Sequence, residues 1–303
     1  MRVVVLTGEA DHAASAFRGA RPDVDWVFAG TADEIPDGPA DALFGYAPPG
    51  LLERVPVRWV QWWAAGVDRT GTVPPDVVLT RVVDLFSQGM AEYVLGCLLD
   101  WVKNFPTARR QQEERRWARY PSRTLAGQVV GVAGPGSIGG AVARVVTSLS
   151  GTVWTLATEP RPAPHVTRAF GSGDVLEFMA GLDALVLVLP LTAKTRHFLN
   201  VDRLAALRPG ACLVNVGRGG LVDEEALRAG LDRGQPAHAY LDVVEREPLP
   251  PDSWLWTHPA VTITPHVSGP NVLPDLVRYS LENLERFERG ESLVGLVDRE
   301  RGY

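Results

Sequence analysis

The chain has 303 residues, of which 46% are hydrophobic and 22% charged, as is typical of a globular protein with room for two domains of ordinary size. Its formal net charge of -6 argues against a nucleic-acid partner or an anionic membrane surface. The longest apolar run, 184–191, is too short to span a bilayer, and the first residues read as a strand rather than a signal peptide. We therefore expect a cytoplasmic protein.

The first part of the chain alternates short apolar runs with helical or loop segments rich in proline, glycine and aspartate. This alternation predicts a parallel sheet with helices on both faces. The predicted strands are 2–6, 25–29, 42–44, 59–62 and 77–79. A long apolar helix is predicted at 90–105, and its arginine-rich continuation to residue 119 is expected to be a solvated extension or an oligomer arm.

A second α/β series begins where the apolar run 128–133 meets a glycine turn. Gly134, Gly136 and Gly139 fit the pattern G-x-G-x-x-G. In that pattern the first glycine permits a tight turn, the second lets a pyrophosphate approach, and the third lets a helix pack on the strand. A helix at 141–149 and a strand at 152–157 complete a βαβ unit, so we predict a dinucleotide site with its phosphates at the helix N-terminus.

Four further strands continue this second sheet, and apolar residues at helical spacing predict a last helix at 274–288 that returns to the first unit. The strands are 184–189, 211–216, 237–241 and 261–264. We therefore predict a discontinuous first domain, residues 1–98 and 271–303, and a second domain, residues 99–270, with a cleft between them. Cys97 and Cys212 lie in apolar runs without nearby metal-ligand partners, so we expect buried thiols and no metal site.

Three stretches, 214–220, 241–249 and 264–269, carry polar residues where strands of the second unit end. An open α/β sheet binds its ligands at that position. Taken singly, Arg218 fits either a surface turn or a bidentate ligand of a carboxylate. In the same way His266 fits either a capping or core histidine or a catalyst, and Asp242 and Glu247 fit either turn acids or parts of a site.

Taken together and in this order, these stretches resemble the D-isomer-specific 2-hydroxyacid dehydrogenase family, which includes glyoxylate/hydroxypyruvate reductases and phosphoglycerate dehydrogenases. The resemblance covers nearly the whole chain, because it includes Ala-Gly-Val-Asp at 65–68, Met-Ala-Glu-Tyr at 90–93 and Leu-Pro-Leu-Thr at 189–192. It implies an α/β fold of two doubly wound domains, a Rossmann dinucleotide-binding domain and a flavodoxin-like substrate-binding domain, usually assembled as a homodimer. The implied activity is hydride transfer between a nicotinamide cofactor and a 2-keto acid/D-2-hydroxy acid pair.

The resemblance also implies the roles of single residues. Arg218, Glu247 and His266 would be catalytic: His266 donates a proton, Glu247 stabilises its charged form, and Arg218 binds the substrate and polarises its carbonyl. The substrate-binding set would be Ala65, Gly66, Val67, Arg218 and His266, with the backbone of the first three holding the carboxylate. Asp242 would contact the nicotinamide carboxamide. The full predicted cofactor-binding set is Gly134, Pro135, Gly136, Ser137, Ile138, Gly139, Thr158, Arg161, Pro190, Thr195, Val216, Gly217, Arg218, Asp242 and His266.

The choice between NAD(H) and NADP(H) stays open at this stage. Many NAD-dependent members end the second Rossmann strand with an aspartate, where this chain has Ala157. Loss of the acid removes repulsion against a 2'-phosphate, which Arg161 would bind, and this tilts the prediction toward NADP(H). Glu159 argues the other way because it would itself reach the ribose, and Arg161 is equally typical of a solvated loop residue.

Other functions and substrates also stay open. Formate and phosphite dehydrogenases share this architecture, but the formate enzymes carry glutamine where this chain has Glu247. Dinucleotide-sensing corepressors that resemble the family carry disordered tails, of which this chain has almost none. The tryptophans near the site stretches are predicted to be either core residues or pocket lining; they are Trp62, Trp63, Trp254 and Trp256. Glyoxylate, hydroxypyruvate and bulkier aromatic keto acids all remain possible substrates.

Overall fold

The computed structural model describes residues 1–270 and 272–302, and the chain divides into two units. The first unit comprises Met1–Leu85 and the described part of Asn271–Tyr303. Its sheet has five parallel strands in the order β2-β1-β3-β4-β5. The elements of its N-terminal part are β1 (Arg2–Leu6), α1 (Ala10–Ala20), β2 (Asp25–Ala29), β3 (Ala42–Gly45), α2 (Leu51–Arg54), β4 (Trp59–Trp62) and β5 (Val78–Arg81).

Burial on both faces explains why the strands of this parallel sheet are apolar runs in the sequence. Val3, Val4 and Val5 of β1 are fully enclosed, as expected of a strand covered by helices on both sides. Helix α1 packs through Ala13 and Phe17, which lie one turn apart on its inner face. Because the strands are all parallel, the loop that follows β4 lies at the carboxyl edge of the sheet.

The second unit, Phe86–Pro270, contains seven parallel strands in the order β12-β11-β10-β9-β6-β7-β8. The chain enters at β6, adds β7 and β8 on one side, and then crosses to the other side. The switch point lies between β6 and β9, where a doubly wound sheet binds its ligand. The elements are α3 (Ser87–Lys103), α4 (Phe105–Glu113), β6 (Val129–Ala133), α5 (Ser137–Ser148), β7 (Thr152–Leu156), β8 (Arg168–Phe170), α6 (Val175–Ala180), β9 (Ala184–Leu187), α7 (Val201–Ala205), β10 (Cys212–Asn215), α8 (Glu224–Asp232), β11 (His238–Leu241) and β12 (Val261–Ile263).

The predicted helix at 90–105 corresponds to α3, which begins and ends slightly earlier, and a second helix, α4, follows where the arginine-rich continuation was expected. Asn104 adopts a left-handed conformation, with φ of 54°, and separates α3 from α4. The predicted domain boundary after residue 98 would divide helix α3. In the structure α3 lies wholly in the second unit, because it packs on α5 and β10. Cys97 of α3 and Cys212 of β10 are both buried, and burial raises the pKa of Cys97 to about 12.

Helix α5 begins four residues earlier than predicted, at Ser137 instead of residue 141. The cause is the glycine-rich first turn, whose low helix propensity hides the start of the helix in the sequence. Strand β8 (Arg168–Phe170) was not predicted, because Arg-Ala-Phe is not an apolar run.

Helix α9 (Leu273–Arg289) packs on the first unit, as its apolar spacing predicts. Two buried hydrogen bonds add to the apolar contacts. Trp63 Nε1 donates to Ser280 Oγ at 3.0 Å, and Asn283 Nδ2 donates to Gln61 Oε1 at 2.8 Å. The C-terminal helix is therefore joined to the sheet by specific polar pairs.

Candidate active site

The glycine turn after β6 has the geometry that a dinucleotide phosphate needs. Gly134 has φ of 103°, and a Cβ there would lie 2.8 Å from Val188 O. A Cβ on Gly139 would lie 2.3 Å from Gly134 O, whereas the space around Gly136 is open. The first and third glycines are therefore required by the fold. The second leaves the backbone, and the N-terminus of α5 at Ser137, accessible to a ligand.

The loop after β7 carries the residues that would choose between the two cofactors. Ala157 is half-buried, and Thr158, Glu159 and Arg161 are exposed. The carbonyl of Thr158 accepts hydrogen bonds from Ser172 N at 3.4 Å and Oγ at 3.3 Å. The acidic and the basic candidate thus lie two residues apart on one exposed loop.

The turn after β9 is held by the hydroxyl of Thr195. This hydroxyl donates to Pro190 O at 2.6 Å and accepts from Thr192 N at 2.8 Å. Thr195, which was predicted to touch the cofactor, therefore also has a structural role in positioning Pro190. A direct contact with the cofactor stays a prediction.

Arg218 lies in a turn that Asn215 organises. The buried Asn215 amide accepts from Gly217 N at 3.2 Å and donates to Arg218 O at 3.0 Å. Arg218 is half-buried, and its Nη1 donates to Gly217 O at 2.8 Å. A Cβ on Gly219 would lie 1.9 Å from the backbone of Val244, so this turn is pressed against the loop after β11. Asn215 was missed by sequence reasoning, although a polar residue at the end of an apolar strand was a usable signal.

His266 and Glu247 form a hydrogen-bonded pair. His266 Nδ1 lies 2.9 Å from Glu247 Oε2, and the side chains are 46% and 24% exposed. Glu247 Oε1 also accepts from Val244 N at 3.4 Å. Because the carboxylate holds one edge of the ring, Nε2 is the nitrogen that can exchange a proton with a ligand. The structure thus brings the predicted catalytic side chains of His266 and Glu247 into direct contact.

Asp242 holds the loop that carries His266. Its carboxylate is almost fully buried and accepts from Thr264 Oγ1 at 2.6 Å, Val267 N at 2.8 Å and Ser268 N at 2.9 Å. The hydroxyl of Tyr93, on α3, lies 2.6 Å from Thr264 Oγ1. Burial raises the pKa of Tyr93, so this hydroxyl stays protonated. Besides its predicted contact with the nicotinamide, Asp242 therefore has an internal bracing role.

In the first unit, the half-buried loop after β4 turns its carbonyls toward protein donors. Trp62 Nε1 donates to Gly66 O at 3.1 Å, and Thr70 N donates to Val67 O at 3.1 Å. Among the described residues, none accepts a hydrogen bond from the backbone N–H of Ala65, Gly66 or Val67. A run of unpaired N–H groups at a half-exposed loop is a suitable anion site.

The four tryptophans near these loops differ in environment. Trp62 and Trp63 are 3% and 4% exposed and belong to the core of the first unit. Trp254 packs against the core of the second unit. Trp256 is exposed, and its Nε1 donates to Pro250 O at 2.9 Å. The core interpretation is therefore correct for the first two.

Residues 1–270 and 272–302 contain neither a metal-ligand cluster nor a membrane-spanning helix. Within these ranges, no three or more His, Cys, Asp or Glu side chains are grouped so that they could hold a metal ion. None of the helices in the same ranges is long and apolar enough to cross a membrane.

The second unit is a doubly wound dinucleotide-binding domain whose strand ends carry an arginine and a histidine–carboxylate pair. Residues 95–268 match the family model described as D-isomer specific 2-hydroxyacid dehydrogenase, NAD binding domain. The chain is 32% identical over 276 residues to glyoxylate/hydroxypyruvate reductase A of Photorhabdus laumondii, covering 87% of this chain and 88% of that relative.

Solved structures agree with this match. A D-isomer specific 2-hydroxyacid dehydrogenase from Xanthobacter autotrophicus Py2, in complex with NADPH and MES, is 35% identical with a TM-score of 0.89, covering 99% of both chains. An NADPH-dependent glyoxylate/hydroxypyruvate reductase from Sinorhizobium meliloti, in complex with NADP and sulfate, is 29% identical with a TM-score of 0.93, covering 100% of this chain and 99% of that one. The chain belongs to the D-isomer specific 2-hydroxyacid dehydrogenase family, which confirms the predicted family, α/β fold and NAD(P)-dependent oxidoreductase class.

Proposed function

We propose that this protein reduces a short 2-keto acid, of the size of glyoxylate or hydroxypyruvate, with NADPH. The observation that carries the proposal is the His266–Glu247 pair, whose Nδ1 and Oε2 atoms lie 2.9 Å apart, with His266 on a loop that Asp242 braces. The names of its relatives support the substrate class. Neighbours that contain NADPH or NADP support the cofactor, as does the absence of an acid at Ala157.

The glycine turn and α5 would hold the cofactor phosphates, and the open space at Gly136 fits this role. The remaining predicted cofactor contacts, from Thr158 to His266, are proposed on the family resemblance. When bound, the dihydronicotinamide supplies the hydride. Arg161 would bind the 2'-phosphate, since its exposed loop follows the second Rossmann strand.

Negative charge develops on the keto oxygen as the substrate is reduced, so a proton and a fixed cation are needed there. His266 would donate the proton from Nε2, and Glu247 would stabilise the imidazolium that donates it. Arg218 would hold the carboxylate and polarise the carbonyl with its two-pronged guanidinium. The N–H groups of Ala65, Gly66 and Val67 would bind the substrate carboxylate.

The test is a panel of 2-keto acids assayed with NADPH and NADH in parallel, following the loss of reduced-nicotinamide absorbance. We expect turnover with glyoxylate or hydroxypyruvate, and a lower KM for NADPH than for NADH. Absence of oxidation with every keto acid and both cofactors would overturn the proposed function. Turnover with NADH alone would overturn the cofactor assignment.

We further propose a cytoplasmic homodimer. The family resemblance supports the dimer, and the arginine-rich segment after α4 carries the fully exposed Trp117, which is suited to an interface. Light scattering should give a mass of twice 32.9 kDa. A mass equal to that of one chain would contradict the proposal.

A further inference from the structure

A guanidinium group lies beside the loop that contains Ala65, Gly66 and Val67. Arg81 is the last residue of the edge strand β5, and it pairs in register with Trp62, which leads into this loop. Its Nη1 donates to Ala65 O at 3.3 Å. The half-buried Arg81 therefore touches the same loop whose N–H groups are unpaired.

The Arg81 guanidinium is incompletely satisfied within the described residues. Its Nε is buried and has no hydrogen-bond partner there. A guanidinium keeps its charge at all ordinary pH values, and a buried donor on a charged group is costly to leave unpaired. Its hydrogen bond to Ala65 goes to a neutral carbonyl, which leaves the positive charge available to an anion.

We propose that Arg81 is a specificity residue for the carboxylate of the substrate. It fixes the Ala65 carbonyl and adds a positive charge beside three N–H groups that would otherwise form a neutral site. This inference rests on the proposed function and deepens it. The expected substrate class is therefore 2-keto carboxylates, selected over neutral carbonyl compounds of the same size.

A local cation also has a clear electrostatic purpose in this chain. The protein carries a formal net charge of -6, which repels an approaching keto acid at long range. A fixed guanidinium beside the loop offsets this repulsion at the point of binding, where its effect is greatest.

The test compares Arg81→Met with the wild type in glyoxylate reduction and in inhibition by oxalate, a carboxylate that cannot be reduced. We expect the KM for glyoxylate and the inhibition constant of oxalate to rise together by about 10- to 100-fold, the range for losing a hydrogen bond to a charged group. Turnover at saturation and the KM for NADPH should change much less. Arg81→Lys keeps the charge and should recover part of the loss, and it serves as the test if Arg81→Met does not fold.

Arg299→Met is the matched control. Arg299 lies in the same unit and donates to backbone carbonyls of Val73, Pro74 and Val77, but not to the loop at 65–67. This control should leave the KM for glyoxylate and the inhibition constant of oxalate unchanged. If wild type reduces keto acids while Arg81→Met binds glyoxylate and oxalate normally, the inference on Arg81 is wrong. If wild type reduces no keto acid, it is the proposed function that fails.

Discussion

His266 is held at its backbone and at its ring by different partners. Its φ of 56° lies in the left-handed region, which is uncommon for a residue with a side chain. The backbone N–H donates to Asp242 O at 2.9 Å and to Thr264 O at 3.0 Å, while the ring contacts Glu247. Strained backbone of this kind persists where surrounding contacts overdetermine it, and it concentrates at functional sites. The conformation therefore supports the proposed role of this histidine.

Replacing the two members of this pair should affect the rate to different degrees. His266→Ala removes the proton donor, so turnover should fall by about 10²-fold or more while cofactor binding is retained. Glu247→Gln keeps a hydrogen-bonding group but loses the charge that stabilises the imidazolium, so we expect a smaller loss, of about 10- to 100-fold. Steady-state rates and fluorescence titration with NADPH measure the two effects. Near-normal turnover of His266→Ala would refute its assignment.

Arg218→Lys tests whether the shape of the guanidinium is needed. Lysine keeps the charge but loses the planar, two-pronged geometry that matches a carboxylate and its neighbouring carbonyl. We expect both a higher KM for the keto acid and a lower turnover. Unchanged kinetics in both parameters would show that the contacts of Arg218 serve only its own turn.

Arg161→Ala addresses the choice of cofactor. If Arg161 binds the 2'-phosphate, its loss should raise the KM for NADPH by about 10-fold and leave that for NADH alone. Glu159→Gln is a useful companion, since removing that acid should not weaken NADPH binding. Equal effects of Arg161→Ala on both cofactors would contradict the proposed phosphate contact.

At the scale of elements, the loop after β12 is tied to helix α3. Tyr93, Thr264 and Asp242 form a chain of two hydrogen bonds, both 2.6 Å long, that ends at the carboxylate bracing His266. Helix α3 is thereby connected to the loop through side chains that do not themselves carry the proposed chemistry. We assign Thr264 as a positioning residue.

Thr264→Val should break this connection while preserving the approximate shape of the side chain. The buried Asp242 would lose a donor, so we expect destabilisation of about 1–2 kcal/mol and a lower turnover with an unchanged KM for NADPH. Thr264→Ser restores the hydroxyl and should restore the rate. Chemical denaturation and steady-state kinetics measure the two effects, and a rate that valine leaves unchanged would show that the chain has no influence on His266.

At the scale of the whole molecule, His238 makes stability depend on pH. Burial lowers the pKa of His238 from 6.5 to about 4, an effect that Asp100 opposes and that Arg109 and His258 reinforce. The unfolded chain therefore binds this proton at a higher pH than the native protein does. Stability is retained above about pH 6.5 and falls as the pH is lowered toward 4.

This effect predicts a loss of up to about 3 kcal/mol in the free energy of unfolding between those two pH values. His238→Gln keeps a polar group for Thr262, whose Oγ1 lies 3.0 Å from His238 Nε2. This substitution should reduce the slope of the free energy of unfolding against pH. The control is His12→Gln at an exposed histidine, which should retain the wild-type slope. Denaturant titrations at about pH 7 and about pH 5 decide the matter, and an equal slope in His238→Gln would contradict the assignment.

The two α/β series, the glycine turn and the residue types able to carry the chemistry can all be predicted from the amino-acid sequence. Strands such as Arg2–Leu6 and Trp59–Trp62 have the bounds predicted for them, because a strand buried on both faces is mostly apolar and therefore shows in the sequence. The requirement for glycine at positions 134 and 139 could also be predicted from the sequence, since it depends on steric limits of the local backbone. The start of α5 could not be predicted correctly, because its first turn is made of weak helix formers.

The contacts between distant side chains could not be predicted in this way. Tyr93 and Thr264 are 171 residues apart, and Arg81, at the end of β5, is 16 residues from Ala65 in the connection that leads into that strand. No local pattern encodes such contacts, because they arise from the order in which parallel strands are assembled in each sheet. For the same reason the bracing role of Asp242 and the buried amide of Asn215 became visible only when the strand ends were brought to one edge.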